Sequence, residues 1–157
     1  MTDLPDKIPE WLEERILKIY SKNVYANYLG MKIVKLMPLE AIVSMKSRQN
    51  LMNMLGGLHG GAITSIADMV MGLACATVGK RIVTLGMNIN FMYAANLNST
   101  VFAFARIVHN GRRTLVVEFR ILDSETNRLL SKGRGTFFVI GQVTREIENK
   151  ETAQANA

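Results

Sequence analysis

The spacing of apolar residues changes along the chain, and each change marks a predicted element. Between Pro9 and Lys22, apolar residues recur at helical spacing among charged ones, which predicts a surface helix that begins at the proline. Residues 29–37 and 39–47 then alternate between apolar and polar on either side of Pro38-Leu39, which predicts a two-stranded hairpin. The first third of the chain is therefore predicted to supply one helix and one hairpin.

The second half of the chain has strand character almost throughout. Four segments rich in strand-forming residues are separated by turn-forming residues such as Asn110-Gly111. The predicted strands cover residues of about 81–92, 100–110, 113–123 and 128–140. Because they follow one another through short connections, the sequence predicts a four-stranded meander.

A segment between these parts, residues 61–78, is apolar nearly all round and is predicted to form a helix buried in the core. The few small and polar residues of this segment lie on one side of the predicted helix. At about 100° of rotation per residue, Gly61, Ser65, Asp68 and Gly72 fall within one narrow arc. A carboxylate without a partner in such a helix would be costly. Asp68 is therefore predicted to have a functional role, although a structural hydrogen bond is the alternative.

The start of this helix offers a second chemical group. Gly60 and Gly61 stand where the helix begins, so their N–H groups have no intrahelical acceptors and can polarise a carbonyl oxygen that becomes negative. However, eight residues separate Gly60 from Asp68 by roughly 12 Å, whereas one reacting carbon must lie about 3 Å from both groups. Two antiparallel copies of the helix across a twofold axis would remove this conflict, so the sequence predicts a dimer.

The residues around the helix start also form a known pattern. The chain resembles the hotdog-fold acyl-CoA thioesterases of the PaaI (phenylacetate-pathway) type over residues of about 24–141. The residues that match the active-site signature are Asn53, Gly56, His59-Gly60-Gly61 and Asp68. The likeness continues through residues 84–92, Gly111-Arg112 and residues 133–140.

The resemblance implies an α+β hotdog fold, in which an antiparallel sheet wraps around a long central helix. It also implies a division of the chain into an N-terminal helical segment (1–28), a hotdog domain (29–141) and a polar C-terminal tail (142–157). The implied reaction converts an acyl-CoA and water into a carboxylate and free coenzyme A. No metal or redox cofactor is expected, because coenzyme A enters as part of the substrate.

The resemblance further implies roles for single residues. Asp68 of one subunit would activate water or attack the carbonyl, while the Gly60 N–H and Asn53 of the partner subunit polarise the thioester. Thr84 would help to hold the water or Asp68, and His59 would orient the substrate or a loop. The other candidates for substrate contact, with the basic ones facing the CoA phosphates, are Gly61, Ser65, Gly111, Arg112, Arg113, Lys132 and Arg134.

Several of these residues also have a structural interpretation. Gly60 and Gly61 could serve only as a flexible helix start. Asn53 could pin the loop through its amide, and His59 could be a packed histidine without a chemical role. Thr84 could be an ordinary β-branched strand residue, and the four basic candidates could be solvated charges.

The composition limits the possible functions. A chain of 157 residues with 48% hydrophobic content predicts one domain. Cys75 is the single cysteine and falls in the apolar helix, so a reducing cytoplasm is the expected location. One cysteine and two histidines cannot form a standard zinc site. Polar residues interrupt the apolar run of the helix, so no membrane span is expected.

The net charge of +6 is spread along the chain without a basic run or a helix-turn-helix pattern, so no nucleic-acid partner is expected. The same field would attract the phosphates of coenzyme A. Two other functions stay open at this point. One is an acyl-CoA sensor, which would call for a DNA-binding domain that residues 1–28 are too short to form. The other is an acyl-thioester dehydratase or hydratase, for which only His59 offers a second acid or base. The expected assembly is a dimer or a dimer of dimers.

Overall fold

The computed structural model describes residues 6–145 and shows a six-stranded antiparallel sheet packed around one long helix. The helices are α1 (Glu10–Ser21), α2 (Val24–Leu29) and α3 (Gly60–Ala76). The strands are β1 (Met31–Met37), β2 (Glu40–Lys46), β3 (Lys80–Phe91), β4 (Thr100–Asn110), β5 (Thr114–Asp123) and β6 (Leu129–Gln142). The predicted α+β hotdog architecture is thereby confirmed.

The core lies between α3 and the inner face of the sheet. Nine of the 17 residues of α3 are buried, as the apolar pattern predicted. In β2, β4 and β5 every second side chain is buried against the helix, which gives these central strands the period of two expected for a sheet with one covered face. Helix α3 is thus held by most of the sheet, and its ends and one exposed side are fixed in position.

The order of the strands differs from the predicted meander. The order is β1-β2-β4-β5-β6-β3, so β3 does not pair with β4 but lies at the far edge of the sheet beside β6. The meander was wrong because β2 takes the place next to β4, and sequence periodicity carries no information about which strands pair. The correction matters for the site, because it makes β3 an edge strand.

The N-terminal segment contains two helices where the sequence predicted one. Helix α1 matches the predicted surface helix, and Leu12 and Ile16 bury its apolar side. Helix α2 was not predicted, because six residues are too short to show a helical period. Its signals are local: the Asn23 side chain accepts a hydrogen bond from the Ala26 N–H, and Gly30 ends the helix in the left-handed conformation with φ of 71°.

The hairpin and the other predicted strands agree closely with the structure. Strands β1 and β2 join through a tight turn at Pro38-Leu39, and β6 ends at Gln142. Of the predicted polar tail, residues 146–157 lie outside the described residues. None of the helices in residues 6–145 is long and apolar enough to cross a membrane.

Candidate active site

The carboxylate of Asp68 is held between the central helix and the edge strand. The Thr84 hydroxyl, on β3, donates a hydrogen bond of 2.9 Å to Asp68 Oδ1. Among the described residues no other side chain or backbone group bonds to this carboxylate, so Oδ2 remains without a partner there. This arrangement orients one oxygen and leaves the other available to a reactant.

The small and polar arc of α3 is the part of the helix that the fold leaves uncovered. Gly61 is exposed and Ser65, Asp68 and Gly72 are half-buried, whereas the residues between them on the helix are mostly buried. Because Thr84 lies on the edge strand, the arc faces the open edge of the sheet. The predicted stripe is thus present and accessible.

The start of α3 is capped by a histidine. His59 is the N-cap residue, and its Nδ1 accepts a hydrogen bond of 2.9 Å from the Gly61 N–H. The expectation that both glycine N–H groups are free is therefore wrong for Gly61. The Gly60 N–H has no acceptor within residues 6–145 and remains the donor that could polarise a carbonyl. His59 thus caps the helix start from an exposed position, which differs from the packed histidine of the structural interpretation.

Asn53 fixes the loop that precedes the helix. Its Oδ1 accepts hydrogen bonds from the Leu55 N–H at 2.9 Å and the Gly57 N–H at 3.1 Å. These bonds define the orientation of the amide, because only the oxygen can accept them. The Nδ2 group has no partner in the described part of the chain. The Oδ1 atom of Asn53 therefore pins the loop, as the structural interpretation has it. The Nδ2 group is held in a fixed orientation and remains a hydrogen-bond donor.

A residue that the sequence did not single out lies beside the arc. The Tyr25 hydroxyl, on α2, forms a hydrogen bond of 2.7 Å with Ser65 Oγ. Ser65 also donates to the Gly61 carbonyl at 2.8 Å, so its hydroxyl is engaged on both sides. Tyr25 was missed because 40 residues separate it from Ser65 and because α2 itself was not predicted. The contact places an aromatic side chain one helical turn from Asp68.

An open groove runs from Asp68 along the C-terminal half of α3. It has a volume of about 480 Å³ and lies between α1, α3 and the adjoining ends of β3 and β6. Asp68 lines this groove together with residues from all four elements. The site therefore adjoins a space of the size that holds a small ligand.

The turn that contains Gly111, Arg112 and Arg113 lies near the far end of the groove. Lys80, which lines the groove, donates a hydrogen bond of 2.8 Å to the Gly111 carbonyl. A Cβ at Gly111 would come within 2.8 Å of the Thr114 carbonyl oxygen, so this glycine is required by the turn itself. Arg112 and Arg113 are exposed, and no ion pair involves either of them within residues 6–145.

The other two basic candidates lie elsewhere. Lys132 and Arg134 project from the outer face of β6, opposite the face that packs against α3. Arg134 forms a salt bridge of 2.7 Å with Glu118, and Lys132 lines a separate depression of about 460 Å³ on the outer face. Within one chain the sheet therefore separates these two residues from Asp68, and the fold does not bring them into the site.

The single cysteine takes no part in the site. Cys75 is fully buried in α3, and burial raises the pKa of its thiol to about 12. Because the thiolate is the reactive form of cysteine, this side chain is a poor nucleophile. Cys75 therefore does not compete with Asp68 as a reactive side chain of α3.

Comparison with known proteins places this geometry in a family. The model of the thioesterase superfamily matches residues 55–130. Human acyl-coenzyme A thioesterase 13 is 27% identical over 128 residues, which are 80% of this chain and 91% of that protein. Acyl-coenzyme A thioesterase PaaI of Escherichia coli is 27% identical over 107 residues, which are 68% of this chain and 76% of that protein.

Solved structures agree. The structure of E. coli PaaI superimposes with a TM-score of 0.82, covers 87% of this chain and 99% of that one, and has 24% sequence identity. A hypothetical thioesterase of Streptococcus pneumoniae, solved with coenzyme A, has a TM-score of 0.76 and 28% identity, and the match covers 82% of this chain and 99% of that one. A variant of a hypothetical thioesterase from the same organism is 30% identical, with a TM-score of 0.69 over 72% of this chain and 92% of that one.

The family model and the relatives thus define the class of this protein as a thioester hydrolase. The chain belongs to the thioesterase superfamily, and its hotdog fold is that of E. coli PaaI. The resemblance read from the sequence is therefore confirmed.

Proposed function

We propose that this protein hydrolyses acyl-CoA thioesters to a free carboxylic acid and coenzyme A. The observation that carries the proposal is the Asp68 carboxylate, which Thr84 holds at one oxygen and which faces an open groove. Two relatives named acyl-coenzyme A thioesterase and a related structure solved with coenzyme A support the same substrate class.

In the proposed reaction Asp68 acts on the thioester carbonyl, either directly or through water. As a base, its carboxylate removes a proton from water while the oxygen of that water attacks the carbonyl carbon. The C–S bond then breaks, and the proton passes to the departing thiolate of coenzyme A. As a nucleophile, the carboxylate attacks the carbonyl carbon, the C–S bond breaks and the thiolate of coenzyme A leaves, which gives a mixed anhydride. Water then hydrolyses the anhydride, which releases the carboxylic acid and regenerates the Asp68 carboxylate, and the thiolate takes up a proton from solvent. The reaction needs no metal or redox cofactor, and coenzyme A takes part only as a portion of the substrate.

The carbonyl oxygen is polarised by the Gly60 N–H and by Asn53 Nδ2. Both are donors without a partner in residues 6–145, and the loop and the helix start fix each of them in advance. Preorganised donors of this kind are effective because they need no rearrangement as negative charge develops on the oxygen.

These donors belong to a second copy of the chain. Gly60 and Asp68 lie eight residues apart on the single continuous helix α3, which sets them roughly 12 Å apart. One carbonyl group cannot contact both within one subunit. An antiparallel pair of α3 helices brings the Gly60 of one subunit to the Asp68 of the other, so we propose that the functional unit is a homodimer, alone or paired into a tetramer.

The edge strand β3 supplies the contact for this dimer. Between Ile82 and Phe91 it carries no charged residue, and Leu85 and Phe91 are 60% and 54% exposed. The opposite edge strand, β1, carries Lys32 and Lys35, which oppose pairing with another strand. Pairing of two β3 edges about a twofold axis covers the apolar surface and sets the exposed arcs of the two α3 helices side by side.

The test is turnover of acyl-CoA by Asp68 variants. In a panel of acyl-CoAs with detection of the free thiol, we expect Asp68→Asn to lower kcat by at least about 100-fold, as loss of a general base or nucleophile does. Glu125→Gln, which removes a carboxylate from the exposed turn before β6, is the matched control and should keep wild-type kcat.

Thermal unfolding of both variants is the check that the fold is intact. Near-native turnover by Asp68→Asn would contradict the assignment of Asp68. Binding of acyl-CoA by the wild type without release of coenzyme A would instead favour a sensor over an enzyme.

A further inference from the structure

We infer that Leu55 contacts the acyl group of the substrate in the active site of the partner subunit, and that it thereby helps to select this group. The inference rests on the proposed function, in which Asn53 polarises a thioester held at Asp68 of the other subunit. Leu55 is tied directly to Asn53, because the Leu55 N–H donates a hydrogen bond of 2.9 Å to Asn53 Oδ1. Wherever the amide of Asn53 acts, Leu55 therefore lies beside it.

Both residues belong to a short hairpin, residues 51–59, that leads into α3. The Asn53 N–H donates a hydrogen bond of 2.8 Å to the Gly57 carbonyl, and the His59 N–H donates one of 2.8 Å to the Leu51 carbonyl. At the base of the hairpin the side chains of Leu51 and Leu58 are buried in the core. Backbone hydrogen bonds and a buried base thus fix the position of the hairpin tip before any substrate binds.

The tip carries two large apolar side chains that its own chain leaves uncovered. In a single chain Met54 is 98% exposed and Leu55 is 90% exposed, which are the highest values among the large hydrophobic residues of the described part. The hairpin ends at the Gly60 end of α3, and the antiparallel pair of α3 helices places that end at Asp68 of the other subunit. The dimer therefore turns this apolar tip toward the partner's site.

The tip suits an alkyl group better than it suits the pantetheine arm of coenzyme A. The N–H groups of Leu55, Gly56 and Gly57 all bond to Asn53 within the hairpin. They are therefore not available to the two amides of pantetheine, which lose hydrogen bonds to water when they are buried. An alkyl chain needs no such partner and gains free energy from contact with the Leu55 side chain.

The hydrogen bonds also limit which acyl groups reach Leu55. The Leu55 nitrogen lies 2.9 Å from Asn53 Oδ1, and the thioester oxygen lies about 3 Å from Nδ2 of the same amide. The Leu55 nitrogen is thus at most roughly 8 Å from that oxygen. The methyl group of an acetyl thioester is too short to make the contact, whereas a hexanoyl chain extends far enough to pass the Leu55 side chain.

The first test compares these two acyl groups. Leu55→Ala should lower kcat/KM for hexanoyl-CoA by about 10-fold and change the value for acetyl-CoA by less than about twofold. Leu55→Met, which keeps a large apolar side chain, should retain most of the wild-type value. Leu17→Ala is the matched control, because Leu17 is an exposed leucine on α1, and it should change neither value.

Two results of this comparison would overturn the inference. Equal losses for acetyl-CoA and hexanoyl-CoA would show that the tip contacts coenzyme A. Conversion of Leu55→Ala to monomers, seen by light scattering, would show that the tip is a contact between subunits.

Mixed dimers test whether Leu55 acts across the interface. A dimer of one Asp68→Asn chain and one Asn53→Asp chain has a single intact site, to which the Asp68→Asn chain supplies Asn53 and Leu55. Leu55→Ala on that chain should lower the ratio of kcat/KM for hexanoyl-CoA to that for acetyl-CoA by about 10-fold. The same substitution on the Asn53→Asp chain should leave the ratio unchanged.

The outcomes separate this inference from the proposed function. Active mixed dimers whose ratio responds to neither chain, or only to the Asn53→Asp chain, overturn the inference and leave the shared site intact. Mixed dimers without activity contradict the shared site, and the action of Leu55 across the interface falls with it. Titration calorimetry in Asp68→Asn homodimers gives affinities without turnover, and equal affinity for hexanoyl-CoA with and without Leu55→Ala would remove Leu55 as an acyl contact.

Discussion

Thr84 and Asp68 show how a single hydrogen bond joins two elements at the site. The hydroxyl on β3 reaches the carboxylate on α3 across the only side of the helix that the described fold leaves open. A carboxylate that accepts one hydrogen bond keeps a defined orientation and retains its second oxygen for water or for the thioester. We therefore propose Thr84 as a positioning residue for Asp68.

Removal of the Thr84 hydroxyl should slow the reaction without weakening substrate binding. We expect Thr84→Val, which keeps the shape of the side chain, to lower kcat by about 10-fold at nearly constant KM, because a misoriented carboxylate affects the transition state alone. Thr84→Ser restores the hydroxyl and should recover most of kcat. Thr136→Val on the neighbouring strand β6 is the matched control. A loss in Thr84→Val that appears only in KM would show that the hydroxyl binds substrate instead.

The site residues differ in how far the sequence could define them. Asp68 was predictable from physical chemistry, because a carboxylate on an apolar helix costs free energy unless it has a partner or a function. The pairing of Thr84 with Asp68 depended on family resemblance, since β-branched residues are common in any strand. Tyr25 was out of reach, because its contact with Ser65 depends on how α2 lies against α3. The division of Asn53 into an anchored oxygen and a free amide also required the loop geometry.

At the scale of elements, β3 is where prediction and structure differ most. Its limits were predicted within about one residue, but its place in the sheet was not, because pairing with β6 is a contact between residues far apart in sequence. Local patterns define where strands begin and end. The order of strands depends on which strand edges pair when the sheet packs around the helix, and this pairing is visible only in the folded structure.

The edge position of β3 leads to a prediction about assembly. Leu85→Asp introduces a charge into the uncharged edge and should convert the proposed dimer into monomers, with loss of thioesterase activity, because a charge would be buried at the edge that pairs. Light scattering after size exclusion gives the mass, and circular dichroism gives the fold. Val34→Asp, on the opposite edge strand β1, is the matched control and should change neither mass nor activity. A dimer that survives Leu85→Asp would place the interface elsewhere.

At the scale of the whole molecule, the net charge of +6 bears on the substrate. Coenzyme A carries phosphates, and exposed cations attract them through solvent, where salt screens the interaction. Arg112 and Arg113 are exposed and without a described ion pair, whereas Arg134 is neutralised by Glu118. Arg112 and Arg113 are thus better placed than Arg134 to bind the phosphates of a nucleotide.

Salt should therefore affect KM and leave kcat nearly unchanged. We expect KM for an acyl-CoA to rise with ionic strength, because a phosphate contact is equally strong in the ground state and the transition state. The thioester of N-acetylcysteamine lacks the nucleotide and should show little dependence on salt. Arg112→Ala should reduce the difference in kcat/KM between the acyl-CoA and the N-acetylcysteamine thioester, and Arg134→Ala should reduce this difference less. Equal salt dependence for both thioesters would show that the basic residues are a solvated surface.

Each site is proposed to combine Asp68 of one subunit with Asn53 and the Gly60 N–H of another. Asn53→Asp is the suitable partner variant, because a carboxylate oxygen keeps the bonds from Leu55 and Gly57 while the amide donor is lost. Asp68→Asn and Asn53→Asp should each be nearly inactive as homodimers. A mixed dimer contains one site with both native residues and one site with neither.

The most direct measurement is the activity of such mixed dimers. The two inactive variants are unfolded, mixed in equal amounts and refolded together, so that half of the dimers are mixed. Each mixed dimer has one intact site of two, so the whole sample should regain about a quarter of wild-type activity. Differently tagged chains allow the mixed dimers to be isolated and their composition verified. Isolated mixed dimers with about half of wild-type activity are the predicted result. Mixed dimers as inactive as their parents would place the whole site within one subunit and contradict a site shared between two subunits.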